Sequence, residues 1–194
     1  MSSGSQLTRR TLIVGGAASA ATTLAPIDAI ARDRSVAERY RFPTPKHPID
    51  TGGAIIGVNG PMKKVLAEVQ KFRKYNRILP RLQQSRIITK RKGTTDVYMR
   101  APILNGVAHI WLHARFPPPL RWRKKGVQVV GRMVKGNLDT WHGVWKMHPC
   151  GPNRTILRLE LHIDIQVPVP DAWVTPELMW ACDKGVTHAS GTGT

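Results

Sequence analysis

From residue 84 onward the chain alternates apolar and polar side chains with a period of two, and on either side of that stretch the spacing is helical. The alternation is clearest at its end. Leu157, Leu159, Leu161, Ile163, Ile165 and Val167 interleave with Arg158, Glu160, His162, Asp164 and Gln166. One face is wholly apolar and the other wholly polar, the pattern of an antiparallel strand with a core on one side and water on the other. Residues 106–116 repeat it, with Ala108, Ile110, Leu112, Ala114 and Phe116 opposed by His109, Trp111, His113 and Arg115. The predicted strands are 84–91, 94–101, 106–116, 126–135, 138–148 and 154–167. They are parted by breaks at Gly93, Pro102 to Asn105, Pro117 to Lys125, Gly136-Asn137 and Pro149 to Asn153. In 138–148 the inward set is Trp141, Trp145 and Met147, whereas valines occupy both faces of 126–135 and select neither. A Gly-rich, β-branched stretch from Ile49 to Val58 predicts a first strand.

Pro61 suits a first helical position. Val65, Leu66, Val69 and Phe72 then form an apolar stripe that continues to Tyr75 and Leu79 before Pro80 stops it. One helix, or two joined near Lys71 to Tyr75, is expected over 61–79. After Pro168 to Pro170, Thr175 as N-cap, Pro176 at the first position and Glu177 in the first turn predict a terminal helix. Its stripe is Leu178, Cys182 and Val186 with Met179. Residues 32–48 are polar, charged and Pro-punctuated, and read as an extended lead-in or a flexible arm. The class is α+β: a strand, a helix pair, six antiparallel strands and a long C-terminal helix.

The first 31 residues stand apart from this plan. Arg9-Arg10, within Thr8-Arg9-Arg10-Thr11-Leu12-Ile13, precedes a mildly apolar run interrupted by Gly15-Gly16 and Pro26, and Ala29-Ile30-Ala31 offers small residues at −3 and −1. The string resembles a twin-arginine signal, with an ordinary Sec signal as the alternative. It implies handling by the twin-arginine translocase, cleavage after Ala31, and a periplasmic or otherwise extracytoplasmic location. The remaining 163 residues comprise the basic lead-in, 32–48, and one domain, 49–190.

The net charge is +18, and +17 once Arg9, Arg10 and Asp28 are removed. Such an excess attracts polyanions. For an exported chain no nucleic acid is expected, and an anionic membrane surface becomes the leading macroscopic partner. In a meander, alternate turns share one end of the sheet. The turns near Gly93, 117–125 and 149–153 therefore bring Lys90, Arg91, Lys92 and Arg154 together with a candidate docking tip, Leu120, Arg121, Trp122, Arg123, Lys124 and Lys125. Trp favours the headgroup zone, and each cation near an anionic surface contributes on the order of 1 kcal/mol. The alternative is a solvated loop with Trp122 folded onto the protein. Cys150 and Cys182 are far apart in sequence and are expected to stay unpaired.

Other chemistries find little support. The glycines before residue 60 lead into Gly60-Pro61-Met62-Lys63-Lys64, not the Gly-Lys-Ser/Thr of a phosphate loop. His109 and His113 share a strand face about 13 Å apart, too far for one metal. His142, His148 and His162 show no ligand spacing either. No Gly-x-Ser-x-Gly is present, and Asp139 and His142 are expected on opposite faces. No catalytic residue, metal or cofactor is assigned.

The string Pro61-x3-Val65-x3-Val69-x2-Phe72-x2-Tyr75-x4-Pro80, followed by Ser85-Arg86-Ile87-Ile88, resembles the START-like, or polyketide cyclase and lipid-transport (SRPBCC), superfamily, near its coenzyme Q-binding type. The likeness covers about residues 53 to 189. It implies a helix-grip fold, a curved antiparallel sheet of about seven strands wrapped around the last helix over an internal cavity. The inward apolar residues become the cavity candidates: Ile110, Leu112, Trp141, Trp145, Met147, Leu159, Leu161, Ile163, Met179 and Cys182. The expected function is an extracytoplasmic binding and transfer protein for a hydrophobic small molecule such as a lipid, quinone, sterol or polyketide. The alternative is a cyclase/aromatase- or dehydratase-type enzyme using the same cavity.

Overall fold

A computed structural model describes residues 36–103, 108–165 and 171–191. The export features at Arg9, Arg10, Ala29 and Ala31 lie outside the described residues. The strands are β1 (Glu38–Phe42), β2 (Thr51–Asn59), β3 (Gln84–Arg91), β4 (Thr94–Ile103), β5 (Ala108–Phe116), β6 (Leu120–Trp122), β7 (Gly126–Gly136), β8 (Thr140–Pro149) and β9 (Arg154–Asp164). The helices are α1 (Met62–Val69), a 3-10 turn Phe72–Lys74, α2 (Tyr75–Ile78) and α3 (Asp171–Ala189). All strands join one curved antiparallel sheet in the order β1-β2-β9-β8-β7-β5-β4-β3, with the short β6 paired onto β7.

The inner face of the sheet grips α3, whose buried residues Val174, Leu178, Cys182 and Val186 recur every four positions. The stripe begins one turn earlier than expected, and that turn corrects the helix start. Thr175 is not the N-cap. The helix opens at Asp171 and carries Pro176 inside it. Pro176 forfeits one backbone hydrogen bond near the start of the helix, while the preceding turn buries Val174. The closest packing is at Gly52 on β2, where an added Cβ would stand 2.6 Å from Leu178 Cβ and 2.7 Å from the Met179 nitrogen. Only a residue without a side chain lets helix and sheet meet there.

Of the two readings of 61–79, the structure takes the second: two helices, α1 and α2, joined across Lys71 by the 3-10 turn. The apolar stripe survives the break, because Val65, Val69, Phe72, Tyr75 and Ile78 are all buried. Phe72 and Tyr75 pack on Phe116 at 4.4 and 6.1 Å between ring centroids, and Tyr75 meets Trp145 at 6.4 Å. In β7 the ambiguous valines are resolved: Val129 is buried in the core and Val134 is exposed.

Two strands were not foreseen. The lead-in is no flexible arm over its described part, since Glu38–Phe42 forms the edge strand β1 against β2. Its side chains carry no apolar period because an edge strand with charged residues is held by backbone pairing. Arg39 adds a tie to α3, with Nε donating to Asp183 Oδ2 at 2.8 Å. Residues 120–122, expected in a loop, form β6. No disulfide joins the two cysteines: Cys182 is buried on α3, and Cys150 packs beside Ile55, Ile156 and Tyr40.

Candidate functional site

Of the ten cavity candidates, eight came from strand alternation and two, Met179 and Cys182, from the stripe of the last helix; in the structure they fall into two groups by burial. Leu112, Trp145, Met147, Leu159, Leu161 and Cys182 are buried. Ile110, Trp141, Ile163 and Met179 are half-buried. Ile110, Trp141 and Ile163 lie toward one end of the sheet, where Ile110 pairs with Ala101 and Trp141 with Ile163, and Met133 and Ile165 also pack half-buried on the core, whereas Met179 sits on α3 beside Gly52. At the other end the inner layer is closed by α1, the 3-10 turn and α2, with Val58, Val97, Phe116, Val129 and Leu157 all buried. Ile110, Trp141 and Ile163 thus keep part of their surface outside the core toward the end bearing the β4–β5 and β9–α3 connections.

Two proton-bearing groups sit in this inner layer. The Tyr75 hydroxyl donates to the Val69 carbonyl at 2.9 Å, and the Cys182 thiol to the Gly52 carbonyl at 3.4 Å. Burial pushes both pKa values far up, so each stays protonated near neutral pH.

The outer face departs from expectation. Read from sequence, the polar side of the last strand faces water, yet Arg158, Glu160 and His162 are only 4%, 8% and 4% exposed. β9 lies third from the edge of a nine-stranded sheet, and its polar side is covered by polar neighbours. Tyr40 reaches over Gly53 and donates its hydroxyl to Glu160 Oε1 at 3.0 Å, and Lys146 Nζ donates to Glu160 Oε2 at 2.6 Å. Burial, then the neighbouring Glu160, drives the Tyr40 pKa upward.

At the end bearing Ile110, Trp141 and Ile163, the 43–50 segment covers the same outer face. Thr44 Oγ1 lies 3.3 Å from His162 Nδ1, and the His47 ring packs 4.9 Å from that of His162, with His47 Nδ1 2.9 Å from Asp164 Oδ2. His142 is the register partner of His162. A pocket of about 420 Å³ opens here, lined by Thr44, His47, Arg132, Met133, Asp139, Thr140, Trp141, His142 and His162. Asp139 and His142 both line this pocket, which at the end of the sheet is reached by residues of either face, Trp141 among them. Histidines without ligand spacing in sequence are brought together by strand pairing. Even so, among the described residues no group of three or more His, Cys, Asp or Glu side chains is arranged to hold a metal.

The docking tip is also rearranged. Leu120, Arg121, Arg123, Lys124 and Lys125 are exposed, as expected. Trp122 is not part of an exposed tip. Its ring folds over Gly126 onto the outer face of β8 and β9, 6.4 Å from the His148 ring, with Lys146 Nζ and the Arg158 guanidinium 5.8 and 6.0 Å from its centroid. The basic loop and the half-buried Ile110, Trp141 and Ile163 lie toward opposite ends of the strands, about 30 Å apart for strands of this length.

A sheet gripping a long terminal helix coincides with a sequence profile match across residues 58–184. The chain belongs to the polyketide cyclase/dehydrase and lipid transport family. Solved structures share its architecture at low identity. A STAR-related lipid transfer protein from Xanthomonas axonopodis superposes with a TM-score of 0.69 over 83% of this chain and 95% of that one, at 10% identity. Human StAR-related lipid transfer protein 5 gives 0.65 over 82% and 84%, at 14% identity. The Zhui aromatase/cyclase from a Streptomyces species gives 0.51 over 80% and 91%, at 13% identity. At such identities the likeness shows the START-like fold alone. No curated protein matches the sequence significantly. Within the family match fall every cavity candidate and the whole docking loop, while β1 and the 43–50 segment precede it.

Proposed function

We propose that this family member binds and transfers one hydrophobic small molecule, a lipid, quinone, sterol or polyketide, between the inner face of its sheet and α3. The observation that carries the reading is the burial gradient: Ile110, Trp141 and Ile163 are half-buried toward one end of an inner layer whose other end is buried under the short helices. An apolar ligand entering there would remove their remaining surface from water. The engaged, protonated Tyr75 and Cys182 support a carrier over a cyclase or dehydratase, which needs a free acid or base facing its substrate. The resemblance to the coenzyme Q-binding type favours a quinone- or lipid-like ligand.

Export supplies the setting. The Arg9-Arg10 signal would deliver the folded domain outside the cytoplasm through the twin-arginine translocase, where its net charge of +17 meets anionic membrane rather than nucleic acid. The exposed Arg121, Arg123, Lys124 and Lys125 beside Leu120 then serve as an electrostatic anchor. Replacing Arg9-Arg10 by Lys-Lys tests the route, and retained export would overturn it. Binding is tested by titrating a fluorescent fatty acid into the folded protein and into Ile163→Trp and Met179→Trp. Filling the opening should weaken binding at least tenfold with unchanged circular dichroism, and equal affinity in all three proteins would sink the proposal.

A further inference from the structure

The outer face of the β8–β9 hairpin holds a concentration of unanswered nitrogen. His142 Nε2, His148 Nδ1, Arg154 Nε, Arg158 Nε and His162 Nε2 are buried without a hydrogen-bond partner among the described residues. All five belong to the polar side of the hairpin, and three of them surround one position. His148 is the register partner of Ile156, and Arg154 and Arg158 flank Ile156 on its strand, two residues to either side. On that face His148 stands diagonal to each arginine, about 8 Å away, while the two arginines, four residues apart on β9, have backbones about 13 Å apart and can converge only through their long side chains.

Arg158 is the decisive member. It is 4% exposed, and no carboxylate lies within ion-pair distance of it among the described residues. Glu160, two residues along on the same face, is already engaged by Lys146 at 2.6 Å and by Tyr40 at 3.0 Å. The nearest compensation is the Trp122 ring at 6.0 Å, which also faces Arg123 at 5.1 Å and Lys146 at 5.8 Å. A guanidinium withdrawn from water without an anion is unfavourable, and one aromatic ring shared by three cations offsets it only in part. Two guanidinium groups, an ammonium and an imidazole around one apolar residue present donors from several directions. That arrangement suits a tetrahedral, multiply charged oxyanion better than a planar carboxylate.

We propose that Arg154, Arg158, His148 and Lys146, beneath Trp122, form a binding site for a phosphoryl group on the convex side of the sheet, separate from the apolar site around α3. The group could come from a free phosphorylated solute or from a phospholipid headgroup. The inference stands independently of what α3 and the sheet enclose.

The test compares thermal unfolding of the folded protein in inorganic phosphate and in chloride at matched ionic strength, for wild type, Arg158→Met and Arg154→Gln. Phosphate should raise the wild-type Tm, Arg158→Met should lose that rise while being no less stable in chloride, and Arg154→Gln should reduce it. An equal rise in wild type and both variants, or none in wild type, would overturn the site. If Arg158→Met does not fold, Arg154→Gln and ³¹P line broadening of added phosphate decide in its place. Flotation with phosphatidylglycerol vesicles separates the sources. Loss of flotation in Arg158→Met assigns the headgroup. Flotation that survives Arg158→Met but falls in Lys124→Ala/Lys125→Ala assigns a free phosphorylated ligand to the site and leaves the anchor to the loop.

Discussion

Tyr40 and Glu160 are joined by a hydrogen bond of 3.0 Å that passes over the intervening strand, and the glycine beneath it makes the passage possible. A Cβ on Gly53 would stand 2.5 Å from the Tyr40 ring. Gly53→Ala should therefore push the ring aside and break the bond, costing about 1–3 kcal/mol by overpacking. Tyr40→Phe should cost roughly 1.5–3 kcal/mol, because its acceptor is a charged carboxylate. Since both act through one contact, the double variant should be little worse than Gly53→Ala alone in urea denaturation, and additive losses would contradict the arrangement.

Gly52 is the more demanding position. An added Cβ meets Leu178 and the backbone nitrogen of Met179, neither of which can turn away as a side-chain tip can. Gly52→Ala must shift α3 off the sheet, with an expected loss of about 3 kcal/mol or more. Urea denaturation followed by tryptophan fluorescence measures it. A loss below that of Gly53→Ala would mean the helix is less tightly seated than its contacts indicate.

Much of this framework was legible from alternation and proline placement. The strands from 84 to 164 and the inward sets around Leu159 and Trp145 follow from period two, because each inward side chain meets a core. Three features were not legible, each for a physical reason. β1 has no side-chain period, since its partner is backbone. The first turn of α3 was hidden by Pro176, which reads as a helix start but here stands in the second turn at the loss of one backbone hydrogen bond. The covered outer face escaped because alternation reports which side is polar, not whether that side is wet. Arg158 and His162 look like solvated residues until Trp122 and the 43–50 segment are placed over them.

That covered face should make stability depend on pH. Burial, aided by Arg132, lowers the pKa of His142, and burial, aided by His47, lowers that of His162. The unfolded chain, whose histidines titrate near about 6.5, therefore binds more protons than the native state just below that value. Stability should hold above about pH 6.5 and fall as the pH drops through it. The facing groups are His47, Asp164, Arg132, Glu160 and Lys146, of which Asp164 and Glu160 temper the fall. Urea midpoints between pH 5 and 8 should show the slope in wild type and a shallower one in His162→Gln. A flat wild-type profile would contradict the burial of these rings.

The thiols offer an independent check on the core. Cys182 is buried, donates to the Gly52 carbonyl, and has its pKa raised by burial, so little thiolate forms. Under native conditions a thiol reagent should modify only Cys150, with the second equivalent appearing on unfolding at the unfolding rate. Prompt modification of both would mean that α3 opens readily from the sheet.

The central claim, a hydrophobic molecule held between the inner sheet face and α3, is tested most directly by native mass spectrometry of the protein recovered from cells that export it. The expected spectrum shows one bound small molecule, released by gentle activation, extracted by organic solvent, and diminished in Ile163→Trp. A spectrum of bare polypeptide, unchanged after incubation with phospholipid, sterol and quinone, would contradict the account.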